Sequence, residues 1–366
     1  MELHMDQIAT ELHLDPLELR LRNIVAPYTV DPYSGFNVGN AGIRECLLQG
    51  AEAIGWTHRE PSADDRYRIG YGLACCAHKN GILGSFGGAP EYSSMILKMN
   101  DDGTLILNTG VHDMGCGTVF SMAKIVAEVL DVAPQNIQVL EGDTQAGPYD
   151  FGTYGSRVTY VSGAGAYYAA MAMKKEMLET AAQLLAVEPE QLQLRAGQVV
   201  SVSDAHVCMN YQQLAARAMF TLNRDLLVKY SHIPSQNPSS YAAHFAKVMV
   251  DQYTGLVKVI DYVAAHDVGV AINPLMVEAQ IQGGVQMGIG YALQEEIQYN
   301  RDGTNKTAGF RNYHLCNAPD MPDVRVVLVE KGEAGGPFGA KGVGEVATVP
   351  VAAAVVNAVN NALSSN

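Results

Sequence analysis

The stretch Gly335–Glu345 constrains this chain more than any other, because six of its eleven residues are glycine or proline. Such a run holds neither a regular helix nor a central strand: glycine adds backbone entropy and proline lacks a donor. Its backbone can approach a ligand or another chain segment more closely than side-chain-bearing residues allow. A single carboxylate, Glu345, ends the run, and an alanine- and valine-rich helix is expected from about 347 to 362. That carboxylate has two readings, a catalytic acid or base and a helix-start residue favoured by the macrodipole. Two common glycine loops are excluded. A Walker A loop needs Ser or Thr after its lysine, and Gly342 follows Lys341. The run does not match Gly-x-Gly-x-x-Gly after a strand either, so a nucleotide triphosphate or Rossmann site is not expected here.

At 366 residues the chain has room for two ordinary domains, and with 48% apolar residues it can bury a substantial core. The net charge of −14 argues against nucleic-acid binding. The apolar windows, such as 346–359, read as too short to span a bilayer, and the N-terminus lacks a secretory pattern. A cytoplasmic location without membrane or nucleic-acid partners is the expectation. The six cysteines show no Cys-x-x-Cys pair and no zinc spacing, so no iron–sulfur cluster or metal ligand set is expected on this chain.

Along the chain, 5–23 reads as helix restarted by Asp15-Pro16, a cap and first-turn pair. An irregular connector follows, then a short helix over 43–55. Strands are expected from near Tyr71, with a hairpin over 92–109 around Asn100-Asp101-Asp102-Gly103. Apolar residues at helical spacing mark 117–130, a strand follows at 135–141, and a long alanine- and methionine-rich helix covers 159–185. A second series starts near His232, with strands at 241–250 and 257–266. A helix then opens at Asn273-Pro274, and a strand at 324–330 follows. Both series place a hairpin before helices, which suggests a loose internal duplication.

Several segments in order resemble the molybdenum-cofactor subunit of the xanthine dehydrogenase/aldehyde oxidase family. They are Asp15-Pro16-Leu17-Glu18-Leu19-Arg20-Leu21-Arg22-Asn23, Asp113-Met114-Gly115-Cys116-Gly117-Thr118, and Gly142-Asp143-Thr144. Then come Gly152-Thr153-Tyr154-Gly155-Ser156-Arg157-Val158-Thr159, Asp267-Val268-Gly269, and Glu278-Ala279-Gln280-Ile281-Gln282-Gly283-Gly284. Gly339-Ala340-Lys341-Gly342-Val343-Gly344-Glu345 closes the series. The resemblance covers about the C-terminal half of such a subunit.

The resemblance implies an α+β fold of two α/β two-layer molybdopterin-binding units. They would lie at 61–230 and 231–366, behind a helical connector at 1–60. It implies hydroxylation of an N-heterocycle or aldehyde with water as oxygen source. Electrons would pass to [2Fe-2S] and FAD carried by partner subunits. The cofactor would be molybdenum–molybdopterin, with the cytosine dinucleotide form also admitted. The partners would include the N-terminal half of the molybdenum subunit. Glu345 would be the general base, and burial in the glycine loop would raise its pKa. Cofactor contacts would come from Gly115, Cys116, Gly117, Gly155, Ser156, Gln280, Gly342 and Gly344.

Within that reading, Gly115 and Gly117 would offer free N–H groups before a helix. The family usually carries Gln where Cys116 stands, so the backbone contacts are the better supported. Ser156 reads equally as a helix cap. Gln280 reads otherwise as an exposed helix residue. Phe86 is placed near a substrate funnel, and Lys341 near the loop or the cofactor phosphate. The competing class is a non-catalytic scaffold or assembly protein that keeps the fold. A cofactor-free hydrolase using Glu345 lacks any Ser/His/Asp or Gly-x-Ser-x-Gly support.

Overall fold

A computed structural model describes residues 1–60, 64–84, 90–203 and 208–364. Phe86, with Gly87 and Gly88, lies outside the described residues. The helices are α1 (Glu2–Glu11), α2 (Pro16–Asn23), α3 (Ile43–Ile54), α4 (Thr118–Leu130), α5 (Gly163–Leu185), α6 (Tyr211–Leu222), α7 (Pro274–Leu293) and α8 (Val351–Ser364). The strands are β1 (Tyr67–Lys79), β2 (Ser93–Met99), β3 (Leu105–Thr109), β4 (Ile137–Glu141), β5 (Leu192–Arg195), β6 (Gln198–Ser201), β7 (Cys208–Asn210), β8 (Leu227–His232), β9 (Ser239–Asp251), β10 (Val257–Asp267) and β11 (Val324–Val329).

The chain folds into two compact units, neither of them continuous. The first comprises Met1–Lys79, Pro238–Gly332 and Val343–Asn366; the second comprises Asn80–Asn237 and Glu333–Gly342. The expected consecutive division at 60 and 230 is therefore corrected. Its physical cause is β1, which pairs antiparallel with β9 along thirteen residues, from Tyr67 opposite Asp251 to Lys79 opposite Ser239. That ladder joins the N-terminal segment to the unit built from 238 onwards.

In the first unit the sheet order is β1-β9-β10-β11, with β10 and β11 parallel and the other pairs antiparallel. β9 has apolar residues on both faces, as a central strand covered twice should. Ala246, Val248 and Tyr262 point toward α7 and α8. Phe245, Ala243 and Val263 pack with Leu47 and Ile54 of α3 and with Trp56. The N-terminal helices thus add a third layer to this unit. Gly70 and Gly72 on β1 let α8 lie against the strand: a Cβ on either would run into the α8 backbone at Ala358 or Ala354. Residues Glu345–Ser364 are long and apolar enough to cross a membrane, contrary to expectation. Ala354, Val355, Ala358 and Ala362 are buried within the unit, however, as in a core helix.

In the second unit the sheet order is β8-β2-β3-β4, with β3 and β4 parallel and the other pairs antiparallel. Here α4 and α5 cover one face over Met95, Leu97, Leu105 and Leu107, all fully buried. A small sheet β5-β6-β7 and α6 complete it. The two large sheets share one pattern: an outer antiparallel strand, a hairpin, and a helix leading to a parallel fourth strand. The expected internal duplication is therefore present in the topology.

Candidate functional site

In the second unit, three loops carry the residues singled out above. β3 ends at Thr109, and the chain reaches α4 through Gly115 (φ +105°) and Gly117 (φ +73°). Their N–H groups are not free: both donate to Asp113 Oδ1, at 2.8 Å and 3.1 Å. An aspartate two residues before a glycine is an Asx-turn signal that was legible in the sequence. A Cβ at Gly115 would meet nothing within 4 Å, so the backbone there faces open space. Cys116 is half-buried, with its sulfur 3.0 Å from Thr118 Oγ1.

The second loop places Gly155 (φ +61°) and Ser156 (φ +53°) consecutively in the left-handed region. Ser156 is thus no helix cap. The helix expected from 159 opens as a π turn, Val158–Ser162, capped at Arg157. Single π turns inside α-helices often mark functional positions.

Arg157 is fully buried and pairs with Glu91 and Asp150, whose side chains are also fully buried. Its guanidinium also donates to the carbonyls of Gly152 (2.8 Å) and Tyr92 (2.9 Å). Glu91 in turn accepts from the Leu83 N–H at 3.1 Å, and Asp150 accepts from the Gly152 N–H at 2.8 Å. One cation therefore ties three segments to the residue after Ser156. No role for Arg157 is legible in the sequence, because its acidic partners stand 66 and 7 residues away.

The third element is 333–342. Gly342 N–H donates to Asn80 Oδ1 at 2.7 Å, and a Cβ on Gly342 would collide with the Ser156 carbonyl. A Cβ on Gly335 would likewise strike the Tyr160 ring. Phe338 (φ +52°) meets Tyr167 edge-on with 5.2 Å between ring centres. Lys341 is buried. The loop is therefore packed onto the π turn, and Gly342 lies beside Ser156.

In the first unit, Gly344 precedes a short turn, Glu345–Ala347, and Glu345 is exposed while Val346 and Ala347 are buried. This corrects the expected burial of Glu345, since this chain's own atoms do not enclose it. It also weakens the helix-start reading. α8 begins at Val351, and macrodipole effects fall off within the first turn. Gly284 of α7 packs against Ala347, and Gly288 against Val351. Gln280, half-buried, stands one helical turn before Gly284. Gln280 and Glu345 thus belong to two segments of this unit that touch.

Under the same turn lies a polar chain that sequence reading missed. The Cys76 thiol donates to the Val346 carbonyl at 3.6 Å. Tyr262 Oη lies 2.9 Å from His244 Nδ1, and His244 Nε2 lies 2.7 Å from His266 Nε2. Both histidines are fully buried. Burial pushes the His266 pKa down to about 3. Burial and the neighbouring imidazole hold His244 well below its usual range. Burial also raises the Cys76 thiol. Two neutral imidazoles at this distance must share one hydrogen, one ring donating and the other accepting.

Residues 49–322 match the model of the molybdopterin cofactor-binding domain family. The xanthine dehydrogenase molybdenum-binding subunit of Escherichia coli O157:H7 is 31% identical, covering 99% of this chain and 49% of that protein. The gamma subunit of the 6-hydroxypseudooxynicotine dehydrogenase complex of Paenarthrobacter nicotinovorans is 31% identical, covering 98% of this chain and 46% of that one. The crystal structure of quinoline 2-oxidoreductase from Pseudomonas putida 86 superimposes with a TM-score of 0.90 at 27% identity, over 99% of this chain and 48% of that one. The chain spans about half the length of the relatives it matches.

Proposed function

Because the chain belongs to the molybdopterin cofactor-binding domain family, we propose that it forms the C-terminal part of a molybdenum hydroxylase acting on an N-heterocycle or aldehyde. Its relatives are molybdenum-binding subunits of oxidoreductases. The bound molybdenum–molybdopterin group, as such or as its cytosine dinucleotide, would supply the redox chemistry. Iron–sulfur and flavin subunits would take the electrons.

Each unit, taken by itself, carries residues suited to a large polar ring group. Backbone at Gly115 and Gly152 faces open space, with no atom near the position a Cβ would fill. In the first unit, the half-buried Gln280 amide would offer a donor and an acceptor. Glu345 would take the proton lost by the attacking water-derived oxygen, as a general base. The observation that carries this reading is the position of Glu345: exposed, ahead of α8, and on a turn packed against the helix of Gln280.

The test is Glu345→Gln in the assembled enzyme. Turnover should fall ~10²–10⁴-fold with molybdenum content unchanged. Near-normal turnover at full metal content would refute the role. One observation favours the scaffold alternative: Asp113 already holds the two N–H groups expected to face the cofactor. A purified assembly without pterin or molybdenum would support that alternative.

A further inference from the structure

We infer that the outward row Leu275–Ala279–Gly283–Met287–Tyr291 of α7 is a docking ridge. Its occupant is the polypeptide half that the relatives carry alongside the region matched here. The inference rests on the proposed function for the identity of that half, and adds the surface that receives it.

The twenty residues of α7 include one charged side chain, Glu278. Its inner face, with Ile281, Gly284, Val285, Gly288 and Ile289, is buried in the first unit. The outer face carries the exposed Gln282 and, beside it, a row of apolar and small residues. Leu275 is 74% exposed, Met287 60% and Tyr291 74%, with the whole chain present. No described segment of this chain covers them. Large apolar side chains left this exposed in a row mark a surface made for another chain.

The row advances four residues at a time, so it forms one continuous i±4 ridge of the kind that packs into a facing groove. Its length is about 24 Å at 1.5 Å per residue. At its centre Gly283 has nothing within 4 Å of the position its Cβ would take. With Ala279 beside it, this allows a partner backbone to come close, toward the ~8 Å lower limit of helix separation.

A second copy of this chain is the poorer occupant. A strip about 24 Å by 10 Å offers ~240 Å² to each partner, against the ~800 Å² per partner of a stable interface. Two copies each carrying −14 would also repel. The other half of the relatives' subunit meets the first objection. It makes up about half of proteins 31% identical to this chain, so it brings contacts beyond this ridge.

The experiment replaces Met287 with the photocrosslinking residue benzoylphenylalanine. The protein is purified from its source cells with everything it associates with, and cross-linked peptides are sequenced. A control carries the same residue at Tyr253, 80% exposed in the turn between β9 and β10. The expected result is a cross-link from position 287, and none from 253, to a sequence homologous to the N-terminal half of the E. coli subunit. That sequence would lie on the same polypeptide or a companion one. Gly283→Arg should cut recovery of a companion chain, or that cross-link within one chain, by at least tenfold. It should leave the thermal melt of the purified chain unchanged, because the site is open and arginine favours helix.

If the homologous half is recovered but position 287 links elsewhere, to a second copy or to nothing, the ridge is refuted and the proposed function stands. If no such half is recovered on either polypeptide, both fail.

Discussion

Acid should unfold the first unit through its buried histidine pair. Both side chains are fully buried, and the single hydrogen they share excludes a second proton without charge in an apolar interior. The folded pKa values lie below the unfolded value of ~6.5, so the stability they contribute is complete above that pH. It is lost as pH falls toward the folded pKa, about 3 for His266. Below pH 6.5 each histidine kept neutral lowers the unfolding free energy by ~1.36 kcal/mol per pH unit. Between pH 7 and pH 5 that amounts to ~2 kcal/mol each and ~4 kcal/mol for the pair, a large share of a typical 5–15 kcal/mol.

Most carboxylates titrate below this window. Trp56, the single tryptophan, is buried in the first unit edge-on to Phe245 and reports its unfolding. Urea curves followed by its fluorescence at pH 7, 6 and 5 give the slope. His266→Leu will lower stability at every pH, because it strands His244 Nε2. It should nevertheless halve the pH-dependent loss, to ~2 kcal/mol. His232, which burial also lowers, lies in the second unit and is common to both proteins. Equal slopes in wild type and variant would refute the reasoning.

Arg157→Met should cost ~3–5 kcal/mol in denaturant unfolding, because Glu91 and Asp150 would be left buried without their cation; a loss below 1 kcal/mol would contradict this. Gly342→Ala, whose Cβ would collide with the Ser156 carbonyl, should cost ~1–3 kcal/mol and speed amide exchange around Ser156. A piece starting at 238 should be insoluble alone, since β9 would lose its thirteen-residue partner and expose a long edge; adding 1–79 in trans should restore a monomeric complex, as sedimentation would show.

Elements with local signals were legible in the sequence. Asp15 caps α2 as its Asp-Pro pair implied, and Gly55 ends α3 in the left-handed conformation. Asn100–Gly103 turns the hairpin, and Pro274 opens α7. What stayed hidden depends on distant partners. Nothing near 158 distinguishes a π turn from continuous helix. The short strands β5 to β7 and helix α6 carry no comparably strong local signal. The histidine chain is invisible because its members lie on neighbouring strands β9 and β10, where His244 and His266 read as isolated polar residues in apolar runs. The exposure of Glu345 is not legible in its motif, because a glycine-rich run says nothing about what else encloses it.

The chain order explains why the most constraining run is divided. The repeats read β1-β2-β3-α4-β4-α5 and β8-β9-β10-α7-β11-α8. The sheets, however, exchange outer strands: β1 joins β9, and β8 joins β2. Residues 333–342 make the same kind of exchange, leaving the first unit after Gly332 and returning at Val343. A segment that departs and returns within ten residues, while packing on a π turn, needs backbone without side chains. A Cβ at Gly335, Gly336 or Gly342 would collide with Tyr160, Ala340 or Ser156. These three glycines are therefore required by packing. In the loops before α4 and before the π turn, by contrast, a Cβ at Gly115 or Gly152 would meet nothing within 4 Å. Substitutions at 335, 336 and 342 should accordingly act through stability.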